Sequence, residues 1–272
     1  MEKSDGTTWQ AVPQADAAPQ ALKRPMSRWR AAGIHLLISV GIAAVVLALM
    51  LGVWYGPTLF QAMGGAGLAL IVIGVDVVLG PALTLVVFRS GKRGLKFDLA
   101  VIALCQLTAL LYGCYVVALA RPAYIVFVKD QFQVATVAEL DRKLLAEARV
   151  PQYRSLPWWG PELVHGVWPK DHKEQQDLMF SGLAGVDLQH MPKYYAPYQE
   201  GRDEILAKAQ PLPSVHQTEP ETARVIDEWV ARAGVDAQNL RYVRLRGRNA
   251  WVAVLIDSRT AEPVKMLLTE RF

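Results

Sequence analysis

Three long apolar runs lie in the first half of the chain, over residues 34–53, 68–88 and 99–120. At about 1.5 Å of rise per residue, each is long enough to cross a hydrocarbon layer of about 30 Å. A chain in lipid must satisfy its own backbone groups, so the pattern predicts three transmembrane helices. After residue 120 the pattern changes. The β-branched and aromatic segments 124–128 and 131–137 flank Lys129 and Asp130 as in a hairpin. Thr136 and Glu139 have the spacing of a capping box, and Val137, Leu140, Leu144 and Leu145 follow at helical intervals, which predicts a helix over 136–148. Residues 151–169 are dense in proline, glycine and aromatics and predict no regular element. Helices are expected over 173–183, 201–209 and 220–233, the last with Pro220 at its start and Gly234 just past its end. Strands are expected over 240–245 and 250–257, with 264–268 as a third. The expected fold is three transmembrane α-helices followed by an α+β domain with a small antiparallel sheet. Residues 1–33 form a disordered cytoplasmic tail, 34–120 the membrane part and 121–272 the second domain.

Charge orients this arrangement. Lys23, Arg24, Arg28 and Arg30 precede the first run, and Arg89, Lys92, Arg93 and Lys96 fill the link between the second and third, while residues 54–67 carry no basic side chain. The positive-inside rule therefore puts the amino terminus and the second link in the cytoplasm and everything after Ala120 outside. Residues 1–98 hold nine basic against five acidic side chains, and residues 99–272 hold twenty against twenty. The alkaline composition thus reports orientation, and nucleic-acid binding is not expected. The first run ends in Val53, Trp54 and Tyr55 and not in a small-residue cleavage site, so it reads as an uncleaved signal anchor, with Trp54 and Tyr55 as interfacial belt residues. Cys105 and Cys114 lie about 13 Å apart along the third run and cannot bond to each other. The segment after Ala120 has no cysteine and must fold by packing alone.

Asp76 is the one carboxylate inside a run, and an ionisable group there is costly unless it faces protein or water or carries a proton. Gly80 and Thr84 recur at intervals of four from it, a small and polar stripe that lets a helix approach closely. Pro81 cannot donate to the carbonyl of Val77, which leaves a free acceptor beside Asp76. Counted from the helix ends, Tyr112 lies level with Asp76 and Gln106 about 9 Å deeper, which favours Tyr112 as its internal partner. The stripe serves either as packing within the bundle or as contact for an incoming helix. A second candidate surface is the strand face of Tyr242, Arg244, Arg246 and Arg248, which could meet acidic protein loops or lipid headgroups or could be the solvated face of an edge strand. Arg121 and Pro122 are expected to fix the angle at which the second domain leaves the membrane. Trp158 and Trp159 could fill a satellite core, lie on the membrane or bind a partner, and the core is favoured.

No thiol and no HExxH or HxH spacing accompanies His165, His172, His190 and His216, so no metal or other cofactor is expected. Neither a GxSxG elbow, an SxxK motif nor a glycine-rich phosphate loop occurs, and a catalytic role is not expected. A membrane-anchored sensor or ligand-binding protein is the alternative class, with an enzyme behind it.

The stretches VDVVLGPALTLVVF (75–88), QLTALLYG (106–113) and ARPAYIVFVKDQF (120–132), with Lys96, Asp98 and His35, together resemble the TfpX/TfpZ type IV pilin accessory proteins over about residues 30–135. The resemblance implies a non-catalytic, multi-pass protein of the bacterial inner membrane, with its amino terminus cytoplasmic and its carboxy-terminal domain periplasmic. It implies the major type IV pilin as partner, with membrane lipid and other pilus assembly proteins as further contacts. The implied work is to aid pilin stability, assembly or the balance of extension and retraction.

Overall fold

The computed structural model describes residues 26–89, 92–183 and 185–271. Of the tail expected over 1–33, residues 1–25 lie outside this range, and the first helix is already under way at Arg28, capped by the Ser27 hydroxyl, which accepts from the Arg30 amide at 3.2 Å. Among the described residues, three helices are long and apolar enough to cross a membrane, Arg28–Trp54, Gly65–Val87 and Leu95–Ala120. With 27, 23 and 26 residues they span about 35–40 Å each. The chain is a membrane protein. Two of these helices contain a π-helical turn, Met50–Trp54 in the first and Val75–Leu79 in the second. Lys92, in the link between the second and third helices, and Asp98, in the first turn of the third, form a 2.5 Å ion pair.

The link between the first and second helices is itself structured. It forms a short helix, Gly56–Ala62, entered through Gly56 and left through Gly64, both at positive φ, where glycine escapes the Cβ penalty.

Among the described residues beyond Ala120 lies one sheet, with strands β1 (Pro122–Val128), β2 (Gln131–Thr136), β3 (Glu162–Gly166), β4 (Tyr195–Pro197), β5 (Gln210–Pro211), β6 (Leu240–Arg246), β7 (Ala250–Asp257) and β8 (Pro263–Arg271). Their order is β4-β3-β1-β2-β6-β7-β8, with β5 beside β6. Most pairs are antiparallel, including the expected β1–β2 hairpin, but β1 with β3 and β2 with β6 are parallel. The α+β class is as expected, and the sheet is larger and more mixed than a small antiparallel one. A central strand with both faces covered needs apolar residues throughout, and β1 (PAYIVFV) is buried at every position.

Alternation sorts the sheet's two faces. Ile125, Phe127, Phe132, Val134, Val243, Leu245, Val252, Val254 and Ile256 point to one side, where they pack with Met50, Trp54, Tyr55, Leu59, Phe60, Ala62, Met63 and Val117 from the ends and link of the helical bundle. The other side carries two clusters. Tyr124, Tyr153 and Tyr195 pack edge to face in one. In the other, Tyr242, Ala253 and Leu255 are covered by the helices Leu212–Thr218 and Pro220–Ala233. The sheet's core is therefore shared with the bundle. Trp54 and Tyr55, expected in an interfacial belt, are buried in this junction, 8% and 2% exposed.

Several local expectations need correction. The capping box of Thr136 and Glu139 forms, but on a single 3-10 turn, Val137–Glu139. Asp141 then caps a separate short helix, Arg142–Ala146, accepting from the amides of Lys143 and Leu144 at 2.7 and 2.9 Å, so a side chain that competes for backbone donors splits the expected helix. The segment 151–169 contains the 3-10 turn Pro151–Arg154 and strand β3. The expected helices appear as His172–Leu183, Arg202–Lys208 and Pro220–Ala233. Strand β6 is interior, paired with β2, β5 and β7, and is not an edge.

Candidate functional site

Four polar side chains from all three long helices converge around Gly80. Asp76 is 9% exposed and Thr84 3%. The Asp76 carboxylate accepts from Gln106 Nε2 at 3.1 Å, and His35 Nδ1 lies 2.6 Å from Thr84 Oγ1. Gly80 makes this approach possible. A Cβ there would stand 2.0 Å from Gln106 Nε2 and 3.0 Å from His35 Nε2, so any side chain would occupy the space in which the two neighbouring helices place their polar groups.

Pro81 and the π turn before it shape the rest. In a π turn the bond lost to a proline would run to the carbonyl five residues back, which is Asp76's own and not Val77's. Gln106 Nε2 is 3.5 Å from that carbonyl oxygen, so one amide addresses both acceptors of Asp76. The Gln106 Oε1 atom is buried with no hydrogen-bond partner among the described residues. The preference for Tyr112 as partner is thereby corrected. Tyr112 is 69% exposed, and Gln106 takes its place. The second helix begins at Gly65 and not at residue 68, which sets Asp76 about 4.5 Å deeper than a count from residue 68 gives, towards the level of Gln106. His35 is the residue the depth argument missed. Matching polar groups from the opposite ends of the helices would have paired it with Thr84.

Beside this layer, between the second and third long helices, runs a groove of about 360 Å³. Leu68, Val72, Val75, Ala109 and Val116 give it apolar walls, Asp76 and Gln106 supply polar atoms, and Tyr112 lies along its rim. Gly113 lets the two helices touch, since a Cβ there would meet the Val72 methyls at 2.8 Å. The stripe therefore does two things at once. It ties three helices together, and it leaves Asp76 lining a slot whose walls are otherwise hydrocarbon. In apolar surroundings a carboxylate interacts strongly with any donor that enters.

The strand face of Tyr242, Arg244, Arg246 and Arg248 separates into two halves. Tyr242 is buried, and its hydroxyl donates to Glu219 Oε2 at 2.9 Å. Arg244 also donates to Glu219 and lies 4.8 Å from the centre of the Trp251 ring. Burial, joined by the neighbouring Glu219 carboxylate, pushes the Tyr242 hydroxyl above its ordinary pKa. Burial works against the charge of Arg244, but the bonds to Tyr242 and Glu219 outweigh it and hold its pKa up. These two residues are internal structure. Arg246 and Arg248 are exposed, on the rim of a polar cleft with Glu139, Gln189 and His190. The sequence separates these halves only if Glu219 is recognised as a partner lying 23 and 25 residues away.

Comparison with known proteins gives the site its context. Residues 23–65, which include the first long helix and the link helix, match the fimbrial assembly protein FimB family. The chain is 32% identical over 183 residues to the serogroup I fimbrial assembly protein of Dichelobacter nodosus, covering 66% of this chain and 70% of that protein. It is 28% identical over 234 residues to the serogroup E1 protein of the same organism, covering 85% and 86%. No solved structure matches. The chain belongs to the family of fimbrial assembly proteins.

Proposed function

We propose that this protein is a non-catalytic accessory factor of a type IV pilus in the bacterial inner membrane, of the TfpX/TfpZ kind, and that it holds the major pilin before or during assembly. Its amino terminus lies in the cytoplasm and its sheet in the periplasm, as the basic residues at 89–96 and the uncharged link at 54–67 favour. The observation that carries the reading is the Asp76–Gln106 pair beside an apolar groove between two long helices. An unassembled pilin sits in the membrane by one apolar helix with a polar amino-terminal end, and a slot with apolar walls and one carboxylate complements such a helix. The contact from the pilin is its amine or a backbone N–H, because a pilin carboxylate would repel Asp76 unless one of the two were protonated. Family membership supports the pilus setting, and the sheet's attachment to the helix ends supports a single body able to meet both pilin helix and pilin head.

The test is replacement of Asp76. In Asp76→Leu the protein should still insert, but pilin copurification and surface piliation should fall, and Asp76→Asn should retain part of both by keeping the Gln106 contact without the charge. If Asp76→Leu inserts and leaves both measures at wild-type level, the groove is not the pilin site. Exchanging Arg246 and Arg248 for glutamate tests whether the exposed half of the strand face meets the pilin head.

A further inference from the structure

Among the described tryptophans after Ala120, Trp158 and Trp159 are the most exposed. Trp158 is 68% and Trp159 86% exposed, in a loop with Pro157 before them and Gly160 after, at φ +78°. A satellite core, the favoured expectation, is excluded by that exposure. The loop is nonetheless firmly placed. The Arg121 guanidinium donates to the Pro157 carbonyl at 2.6 Å and lies 5.3 Å from the Trp158 ring centre and 5.8 Å from that of Trp54. Arg121 itself is 4% exposed. At Gly160 a Cβ would stand 3.1 Å from the carbonyl oxygen of Val53, so the backbone here rests on the last turn of the first long helix.

Both anchors lie at one level. Arg121 follows Ala120, the last residue of the third long helix, and Val53 is one residue from the end of the first. These are the points at which the two apolar segments end, and in a bilayer that is where hydrocarbon gives way to headgroups. A loop tied to both cannot carry its indoles far from that plane, and indole is the side chain that favours this zone, with a ring for the acyl boundary and an N–H for water and carbonyl groups.

We infer that Trp158 and Trp159 insert into the lipid headgroup–acyl boundary and seat the sheet on the bilayer at the end where it joins the helices. The occupant of this surface is lipid and not protein. Arg121, clamped between Trp54 and Trp158, is the positioning residue that links the third helix, the first helix and the loop. The site is separate from the Asp76 groove and does not depend on it.

The test uses the purified full-length chain in vesicles of phosphatidylcholine and phosphatidylglycerol, without any pilin. Tryptophan emission is recorded for the wild type and for Trp158→Phe/Trp159→Phe, whose difference isolates the two indoles. With phosphatidylcholine brominated near the glycerol end of its acyl chains, the difference emission should fall about twofold or more relative to unbrominated vesicles. If it is unchanged by brominated lipid, the loop stands clear of the membrane and the inference is overturned. Folding of the double variant is checked by its detergent melting curve, which should match the wild type because both side chains are exposed. A variant that does not match is replaced by each single Trp→Phe change, with the same two outcomes.

Discussion

The bundle and the sheet achieve their specificity by opposite means. In the sheet, apolar side chains face inward from both sides, and the fold is set by shape, with β1 buried at every position. In the bundle most apolar side chains point outward, including Leu37, Leu70, Val86 and Leu111, all more than half exposed. Lipid covers such a surface as well as another helix would, so apolarity alone cannot say which helix packs where. That information resides in the small polar set His35, Asp76, Gly80, Thr84 and Gln106. Where the two regions meet, the logic of the sheet takes over, and Met50, Tyr55 and Phe60 pack as core residues against strands far away in sequence.

The largest effect should come from breaking that junction. Phe60 is 9% exposed and packs edge to face on Tyr55 at 6.1 Å. Phe60→Ala should cost about 3–5 kcal/mol and expose residues 121–271 to limited proteolysis in detergent. Leu70→Ala, on a side chain 74% exposed, should leave digestion within the wild-type range. Equal sensitivity of the two variants would erase the distinction between junction and lipid-facing surface.

Next is the polar layer. A methyl group at Gly80 meets Gln106 Nε2 at 2.0 Å, so Gly80→Ala should push that amide off Asp76 and cost about 1–3 kcal/mol in detergent melting. Gly74→Ala, where a Cβ meets nothing within 4 Å, is the control and should be neutral or slightly stabilising. Matching losses at the two positions would mean that the layer does not hold the helices in register.

How far these features could be read from the chain follows from the same contrast. The three apolar runs, the β1–β2 hairpin around Lys129 and Asp130 and the paired strands from Leu240 to Asp257 are local patterns, and they are legible because neighbours in sequence are neighbours in space. Strand β3 is hidden because its five residues, ELVHG, alternate poorly and find their partner in β1 by a parallel crossover. The helix Leu212–Thr218 is masked by Pro213, which is tolerated only because it sits in the first turn. Asp76 is conspicuous as a lone carboxylate, yet its partner is set by a π turn, which leaves no clear trace in the residues. Trp54 and Tyr55 have belt composition but sit under the sheet, an outcome decided by residues some 190 positions later.

A smaller effect tests the sheet side. Glu219 holds both Tyr242 and Arg244. Its side chain is 16% exposed and that of Arg244 40%. With solvent screening on the arginine side, Glu219→Gln should cost about 1 kcal/mol and leave the fold intact, as seen by urea unfolding in detergent. A loss as large as that of Phe60→Ala would make this triad a core element and not a brace on the helix-covered face.

The smallest effect is at the surface, where His216 Nε2 meets Asp227 Oδ2 at 2.8 Å and joins the two helices that cover β6. The hydrogen bond to Asp227 comes first in raising the imidazole pKa above its ordinary value, followed by the Leu212 carbonyl. Because the folded state favours the protonated ring, the stabilisation is fully present below the unfolded imidazole pKa of about 6.5 and is lost as pH rises through the folded one. Asp227→Asn should bring the ring's NMR titration midpoint down towards that of a free imidazole, and 0.5 M salt should move the wild type in the same direction, because both partners stand in water. The Asp76–Gln106 contact, shielded by apolar neighbours, should be indifferent to the same salt. A His216 midpoint that ignores both Asp227→Asn and salt would place this pair with the buried layer and remove the contrast between water-facing and membrane-facing polar contacts.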